Sequence, residues 1–165
     1  MNNLRLIRDQ KIIKFEYDQN FKKDDFYISS SNQHIIKILN NWPKWEKNFL
    51  NISGDKYSGK THLINIFLEK FKGIKFEANL FNNKNLEEIK IHQNIILENL
   101  TKNIDEKFIY SLLNIIDQDN KYLIVTSTEP IVEIEFDLND LKSRTNNFLL
   151  QSIKKPDDNL LFALI

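Results

Sequence analysis

Short apolar runs alternate with longer amphipathic segments along most of the chain. The runs predict strands at residues 49–53, 74–78, 94–98, 122–127 and 147–151. Apolar residues at helical spacing predict helices at residues 32–42, 60–71 and 105–118. A short helix is expected at residues 140–144, and a last helix near residues 156–158, where a proline is followed by two acids. Because nearly continuous apolar strands alternate with helices, we expect an α/β three-layer sandwich around a mostly parallel five-stranded sheet.

Residues that start or stop helices define several of these boundaries. Ser30 or Ser31 can cap the first helix, and Pro43 ends it. Gly73 stops the second helix, and Asp105 is a favourable N-cap for the helix after the third strand. These signals support the predicted order of strands and helices.

Composition and charge restrict the classes of function. The 165 residues correspond to one ordinary domain, and 23 basic and 23 acidic side chains cancel. Because no overall positive field would attract nucleic acid, we expect no direct sequence-specific DNA binding. The absence of cysteine excludes disulfides and thiolate metal sites. No apolar stretch is long enough for a signal peptide or a membrane span, so we expect a cytoplasmic protein without membrane contact.

A glycine-containing segment after the first predicted strand carries the clearest chemistry. It fits the pattern G-x-x-x-x-G-K-[ST] without a gap and consists of Gly54, Asp55, Lys56, Tyr57, Ser58, Gly59, Lys60 and Thr61. Its glycines let backbone N–H groups point at phosphate oxygens. Lys60 would place its ammonium on the outer phosphates, and the Thr61 hydroxyl would bind Mg²⁺. The segment lies between a predicted strand and a predicted helix, so it predicts a site for ADP or ATP with Mg²⁺.

The third predicted strand ends in two polar residues suited to such a site. P-loop enzymes need an acid at the end of a neighbouring strand to hold Mg²⁺, and often a second acid to activate water. Glu98 stands at the first position, the alternative being a surface charge at a strand end. Asn99 stands at the second position, where an amide orients water but cannot accept its proton. We therefore expect slow intrinsic hydrolysis and a nucleotide-sensing switch.

Polar residues after these strands are weaker candidates. Thr126 and Ser127 stand where a side chain could sense the third phosphate of ATP. The alternative is that their hydroxyls satisfy a turn before Pro130. Arg144 is predicted to be exposed on the helix at residues 140–144, where it is either a solvated charge or a functional group.

Taken together, these segments resemble the DnaA-related AAA+ family of P-loop proteins. The similar segments are GKTHL at 59–63, DDFYISSSN at 24–32, YLIVTSTEP at 122–130 and LKSR at 141–144. In the family they correspond to the P-loop, the entry into the nucleotide domain, the sensor 1 strand and the box VII helix with its arginine finger. Their order and spacing agree from residue 24 to residue 165.

The resemblance implies a domain organisation and further nucleotide contacts. Residues 24–165 would form the AAA+ nucleotide-binding core, preceded by an N-terminal segment at residues 1–23. The residues implied to contact the nucleotide in addition are Asp25, Phe26, Tyr27 and Ile28, which would line the adenine, and His62 beside the loop. Family members continue into a helical lid with a sensor 2 arginine. The sequence ends at Ile165, where that lid should begin, so we expect the lid to be absent.

Within the family the chain is most similar to the Hda subfamily, short DnaA homologues that regulate replication initiation. The P-loop domain begins near the N-terminus, no helix-turn-helix domain follows, and the Glu98–Asn99 pair is similar to the subfamily's strand. The resemblance implies a regulator tethered to the DNA polymerase sliding clamp (the beta subunit) that promotes ATP hydrolysis on DnaA. Arg144 would then insert toward the ATP of DnaA. Whether the chain also forms a homodimer stays open.

A short N-terminal segment is similar to the clamp-binding motif of that subfamily, Q-L-x-L-x-L. Gln10, Ile13 and Phe15 match it, whereas Lys11 stands where a leucine is expected. An extended peptide could place Ile13 and Phe15 in an apolar pocket while Gln10 forms a hydrogen bond at its edge. The alternative is that this segment packs on its own domain.

Two other functions stay open at this stage. A stand-alone P-loop ATPase or nucleotide kinase is disfavoured by Asn99 and by the presence of only three arginines, Arg5, Arg8 and Arg144. A DnaA-type initiator fragment that assembles on origin DNA is disfavoured by the zero net charge and the lack of a recognisable DNA-binding domain.

Overall fold

The computed structural model describes residues 32–154, and this part of the chain contains five strands and five α-helices joined by short loops and 3₁₀ turns. In chain order these are α1 (Gln33–Asn40), β1 (Phe49–Ser53), α2 (Lys60–Phe71), β2 (Ile74–Glu77), α3 (Asn83–Glu88), β3 (Asn94–Leu100), α4 (Glu106–Gln118), β4 (Tyr122–Ser127), α5 (Asn139–Thr145) and β5 (Leu149–Ser152). None of the helices in residues 32–154 has the length and apolar character needed to cross a membrane.

The strands form one sheet in the order β2-β3-β4-β1-β5, and every pairing is parallel. At the centre of the sheet, Phe49 pairs with Leu123 and Ser53 with Ser127. All five strands therefore end at the same edge, the carboxyl edge, where the loops leaving β1, β3 and β4 meet. The α/β fold with a five-stranded parallel sheet is confirmed.

Helices cover both faces of the sheet. On one face, α1 and α2 bury Ile35 and Leu63 against Ile52 of β1 and Ile124 of β4. On the other face, Leu112 of α4 belongs to a separate apolar cluster that includes Ile95 of β3 and Leu123 of β4. Because a sheet with two covered faces has no solvated side, β1 is buried at all five positions. This accounts for the nearly continuous apolar runs in the sequence.

Several boundaries differ from the sequence prediction. Helix α1 ends at Asn40 because Trp42 precedes Pro43, and the residue before a proline is disfavoured in the helical conformation. Its N-cap is Asn32, while Ser30 and Ser31 lie outside the described residues. Strand β2 ends one residue early, β5 begins two residues late, and β3 extends beyond Glu98 to Leu100.

Helix α3 was not predicted, because its sequence NKNLEE lacks an apolar stripe. A capping box holds its first turn. The Asn82 side chain accepts from the backbone N–H of Lys84, and the Asn85 side chain accepts from the N–H of Asn82. Local hydrogen bonds therefore define the start of this helix, and Leu86 alone packs against the apolar cluster.

One polar side chain lies inside β1 and connects it to the end of β4. Asn51 is fully buried, and its amide nitrogen donates to the Val125 carbonyl at 3.1 Å and to the Ser127 hydroxyl at 2.9 Å. Its amide oxygen accepts from the backbone N–H of Ile131 at 2.9 Å. Asn51 therefore holds the carboxyl end of β4, and the chain that follows it, against β1.

We expect Asn51→Leu to lower the free energy of unfolding by about 2–4 kcal/mol, because it leaves buried backbone groups without partners. Urea denaturation followed by circular dichroism measures the change. As a control, the same substitution at the exposed Asn83 should change the free energy by about 0.5 kcal/mol or less. Equal effects at the two positions would contradict this role of Asn51.

Candidate nucleotide-binding site

The predicted phosphate loop leaves the carboxyl end of β1 and enters α2. Its first N–H, that of Gly54, donates to the Ser127 carbonyl at 3.2 Å, which joins the loop to β4. A Cβ atom at Gly54 would lie 2.9 Å from Oγ of Ser58 and 3.2 Å from Cβ of Ile153. Gly59 has a φ of 95°, in the left-handed region. The backbone therefore favours glycine at position 59, whereas at position 54 an added Cβ would crowd two neighbouring side chains.

Lys60 is folded back over this loop. Its Nζ donates to the carbonyl oxygens of Gly54 at 2.6 Å and Asp55 at 2.8 Å, and the residue is only 7% exposed. Burial lowers the pKa of Lys60 below its ordinary value of 10.5, while the charges of Asp55 and Glu98 raise it in part. The ammonium is thus placed at the loop before any phosphate binds, and an entering phosphate would compete with the two carbonyls for it.

The loop borders a cleft of about 420 Å³, a size typical of small-molecule sites. Seven of the eleven described residues that the sequence assigns to the nucleotide line it, together with Asn99 and one residue that the sequence analysis missed, Thr128. The full lining is Lys56, Tyr57, Ser58, Gly59, Lys60, Thr61, His62, Asn99 and Thr128. The structure therefore brings Asn99 of β3 to the same cleft as the phosphate loop.

Glu98 lies at the end of β3 on the α2 face of the sheet. Its side chain is 3% exposed, and its Oε2 is 3.0 Å from Nζ of Lys75 on β2. Its Oε1 is buried and has no hydrogen-bond partner in the part of the chain that the structure describes. A buried carboxylate oxygen without a partner fits a cation, so Glu98 and Thr61 are the groups that would hold Mg²⁺ beside phosphate oxygens. The ion would neutralise phosphate charge.

Mg²⁺ would depend on the nucleotide for most of its ligands. Within residues 32–154, no group of three or more histidine, cysteine, aspartate or glutamate side chains could hold a metal ion. P-loop sites bind the ion through one or two protein groups and the phosphates.

Asn99 stands at an irregularity of β3 where the pairing with β4 shifts register. Its φ of 58° lies in the left-handed region, which asparagine tolerates better than most residues. Its N–H donates to Oγ1 of Thr126 at 3.0 Å, and its side-chain amide donates to Oε2 of Glu77 at 2.9 Å. Sequence reasoning missed Glu77. The only available signal was its place at the end of the strand before β3.

The two hydroxyls at the end of β4 have structural partners. Thr126 accepts the Asn99 N–H and so positions that residue in the cleft. Ser127 accepts from Asn51 and donates to the Glu129 carbonyl at 2.6 Å, which corresponds to the turn before Pro130. Of these two residues, Thr126 has a hydrogen bond to a residue that lines the cleft, Asn99.

Arg144 lies near the amino edge of the sheet, where the strands begin, and not at the carboxyl edge that carries the phosphate loop. Helix α5 leads into β5, whose Leu149 pairs with Leu50 at the beginning of β1, whereas the phosphate loop follows the end of β1. A strand of five residues spans about 13 Å. The Arg144 guanidinium is paired with the Asp117 carboxylate at 2.7 Å and is only 29% exposed, more enclosed than the sequence suggests. It also lies 5.4 Å from the centre of the Tyr110 ring.

Several residues of the sequence prediction lie outside the described residues. They are Gln10, Ile13 and Phe15 of the clamp motif, Asp25, Phe26, Tyr27 and Ile28 of the adenine segment, and the predicted last helix near residues 156–158.

Comparisons with known proteins connect this fold to replication proteins. No family model matches the sequence, and no curated protein matches it. Among solved structures, AMPPCP-bound DnaA from Aquifex aeolicus matches with a TM-score of 0.70 at 16% identity, over 89% of this chain and 54% of that one. DnaI matches with a TM-score of 0.61 at 15% identity, over 81% of this chain and 87% of that one.

A third match is a putative primosome component from Streptococcus pyogenes serotype M3, with a TM-score of 0.63 at 13% identity, over 80% of this chain and 85% of that one. The present chain spans about half the length of the Aquifex aeolicus DnaA structure. At these identities the likeness concerns the fold. The chain has the parallel α/β fold of the AAA+ P-loop domains of DnaA and DnaI.

We expect nucleotide affinity to fall with rising pH in the alkaline range, starting below 10.5. In the free protein the pKa of Lys60 lies below 10.5, so part of the protein carries neutral Lys60 in this pH range. A bound phosphate favours the charged ammonium, so ADP binding takes up protons there. Titration calorimetry of ADP in two buffers with different ionisation enthalpies measures this uptake.

Two variants separate Lys60 from general charge effects. Lys60→Met should lower ADP affinity by about tenfold or more, since an ammonium at a phosphate is a charge-assisted contact. The matched variant Lys56→Met, which removes an exposed lysine of the same loop, should lower it far less. Similar losses in both variants would refute the assigned role of Lys60.

Proposed function

We propose that this chain is a nucleotide-binding regulator of replication initiation of the Hda type, which acts with the sliding clamp to stimulate ATP hydrolysis on DnaA. The observation that carries the proposal is the position of Arg144. It lies near the amino edge of the sheet, whereas the chain's own phosphate loop lies at the carboxyl edge. An arginine so placed can serve a nucleotide bound to another molecule.

Nucleotide binding is supported by the loop itself. Gly59 has a left-handed backbone, an added Cβ at Gly54 would crowd its neighbours, and Lys60 is already placed over the loop. The first N–H groups of α2 add the positive end of a helix. We propose ADP or ATP as the ligand, with Mg²⁺ held by Thr61 and Glu98.

Release of Arg144 toward a partner would cost little. Its ion pair with Asp117 is partly exposed, with 46% of the Asp117 side chain accessible, and such pairs contribute about 0–1 kcal/mol. At a partner's ATP the guanidinium would stabilise the charge that develops on the transferred phosphoryl group. Asp117 thus orients the arginine without holding it firmly.

The replication context is supported by the solved structures with a similar fold, which include DnaA with AMPPCP and DnaI. The proposal that the chain binds the sliding clamp rests on the sequence alone, because Gln10, Ile13 and Phe15 match a clamp-binding pattern. In this proposal the clamp concentrates the chain near DnaA on DNA, and Arg144 then completes the hydrolytic site of DnaA.

Arg144→Ala should abolish stimulation of ATP hydrolysis on purified DnaA in the presence of clamp-loaded DNA. An arginine finger contributes about a thousandfold or more to the rate, so the variant should give no measurable stimulation of hydrolysis. The assay measures phosphate release from ATP-bound DnaA with the chain added or withheld.

Controls in the same assay separate the contributions. Lys142→Ala, on the same helix and exposed, should stimulate like the wild type. Gln10→Ala combined with Phe15→Ala should lower stimulation only when the clamp is present. Full stimulation by Arg144→Ala would rule out the proposed role of the arginine.

One observation favours the alternative of a stand-alone ATPase. The exposed Glu77 carboxylate is hydrogen-bonded to Asn99, so an acid that could accept a proton lies beside the amide that lines the cleft. We nevertheless expect the chain alone to hydrolyse ATP slowly, because Glu77 is directed to Asn99 and the second-acid position carries no carboxylate. Fast turnover by the purified chain, lost in Glu77→Gln but kept in the exposed control Glu88→Gln, would favour the alternative.

A further inference from the structure

Glu98 is a buried carboxylate whose charge is balanced from a neighbouring strand. Only 3% of its side chain is exposed, and Oε2 is paired with the Lys75 ammonium at 3.0 Å. A buried carboxylate without a counter-charge is strongly disfavoured. Part of the stability of this edge of the sheet therefore depends on a cation beside Glu98.

Two ammonium groups act on Glu98, and they have different tasks. Lys60 is close enough for Glu98 to raise its pKa against the effect of burial, but its Nζ is bonded to the carbonyls of Gly54 and Asp55. A nucleotide phosphate would compete with these carbonyls for the Lys60 ammonium. Lys75 does not contact the phosphate loop, so its ammonium remains paired with Glu98 when a nucleotide occupies the loop.

The position of Lys75 is set by the sheet. Lys75 pairs with Ile96 of β3, so its side chain lies on the α2 face, the same face as Glu98. Its Nζ also donates to Oδ1 of Asn65 on α2 at 3.2 Å. Two contacts from two different elements therefore hold the ammonium between β3 and α2, although the lysine side chain is 35% exposed.

We propose that Lys75 is a fixed cation of the nucleotide site, which lets ADP or ATP bind with little dependence on Mg²⁺. A bare carboxylate near the phosphates would repel them, and Mg²⁺ ordinarily relieves this repulsion. Lys75 already neutralises Glu98, so the protein itself supplies much of the charge compensation. The inference rests on the proposed nucleotide binding and concerns the specificity of that same site.

The test compares the dissociation constant of ADP in Mg²⁺ with that in EDTA, measured by titration calorimetry on the full chain. Lys75→Gln keeps hydrogen-bond donors near Glu98 and Asn65 but removes the charge, and Lys75→Arg keeps the charge. The matched control is Lys90→Gln, which removes the lysine from an exposed ion pair with Glu87 on the segment leading into the amino end of β3. Circular dichroism checks that each variant is folded.

In the wild type, EDTA should weaken ADP binding by less than about threefold, and in Lys75→Gln by about tenfold or more. Lys75→Arg and Lys90→Gln should behave like the wild type. A loss of about tenfold or more in the wild type, or equal losses in Lys75→Gln and Lys90→Gln, would overturn the inference and leave nucleotide binding intact. If the wild type binds no ADP even in Mg²⁺, the proposed function fails and this inference fails with it.

Discussion

The hydrogen bonds of Asn51 join the central strand of the sheet to the end of its neighbour. Through them Ser127 is held in place, and the Ser127 carbonyl in turn accepts the first N–H of the phosphate loop at Gly54. The parallel register brings the ends of β1, β3 and β4 to one edge, and Asn51 fixes β4 there. The pairing of β1 with β4 aligns the two strand ends, and this buried amide adds a side-chain connection between them next to the start of the phosphate loop.

At that edge the chain concentrates charge inside a protein that is neutral as a whole. Lys60 and Lys75 lie close to the buried carboxylate of Glu98, so its negative charge is balanced beside the phosphate loop. At the other edge Arg144 is held by Asp117 on α4. In the proposed function, the carboxyl edge binds the phosphates of a nucleotide, and the arginine at the other end of the strands serves a nucleotide on a partner.

Much of this could be predicted from sequence, because the responsible signals are local. The phosphate loop is a contiguous motif, and the strands of a doubly covered sheet are continuous apolar runs, so β1, α2 and β4 lie where predicted. The contacts of Glu98 with Lys75 and of Asn99 with Glu77 could not be predicted, since they depend on which strand is adjacent to β3 and on its register. Helix α3 was missed because hydrogen bonds of polar residues define its start.

The central claim is that the edge after β1 recognises the phosphates of a nucleotide. The most direct measurement is competition between a fluorescent ADP and unlabelled ADP, AMP or adenosine at equilibrium. The account predicts displacement by ADP and weak or no displacement by adenosine, because the loop, Lys60 and the start of α2 contact phosphate oxygens. Equal displacement by adenosine and ADP, or no binding of the fluorescent ADP at all, would contradict it.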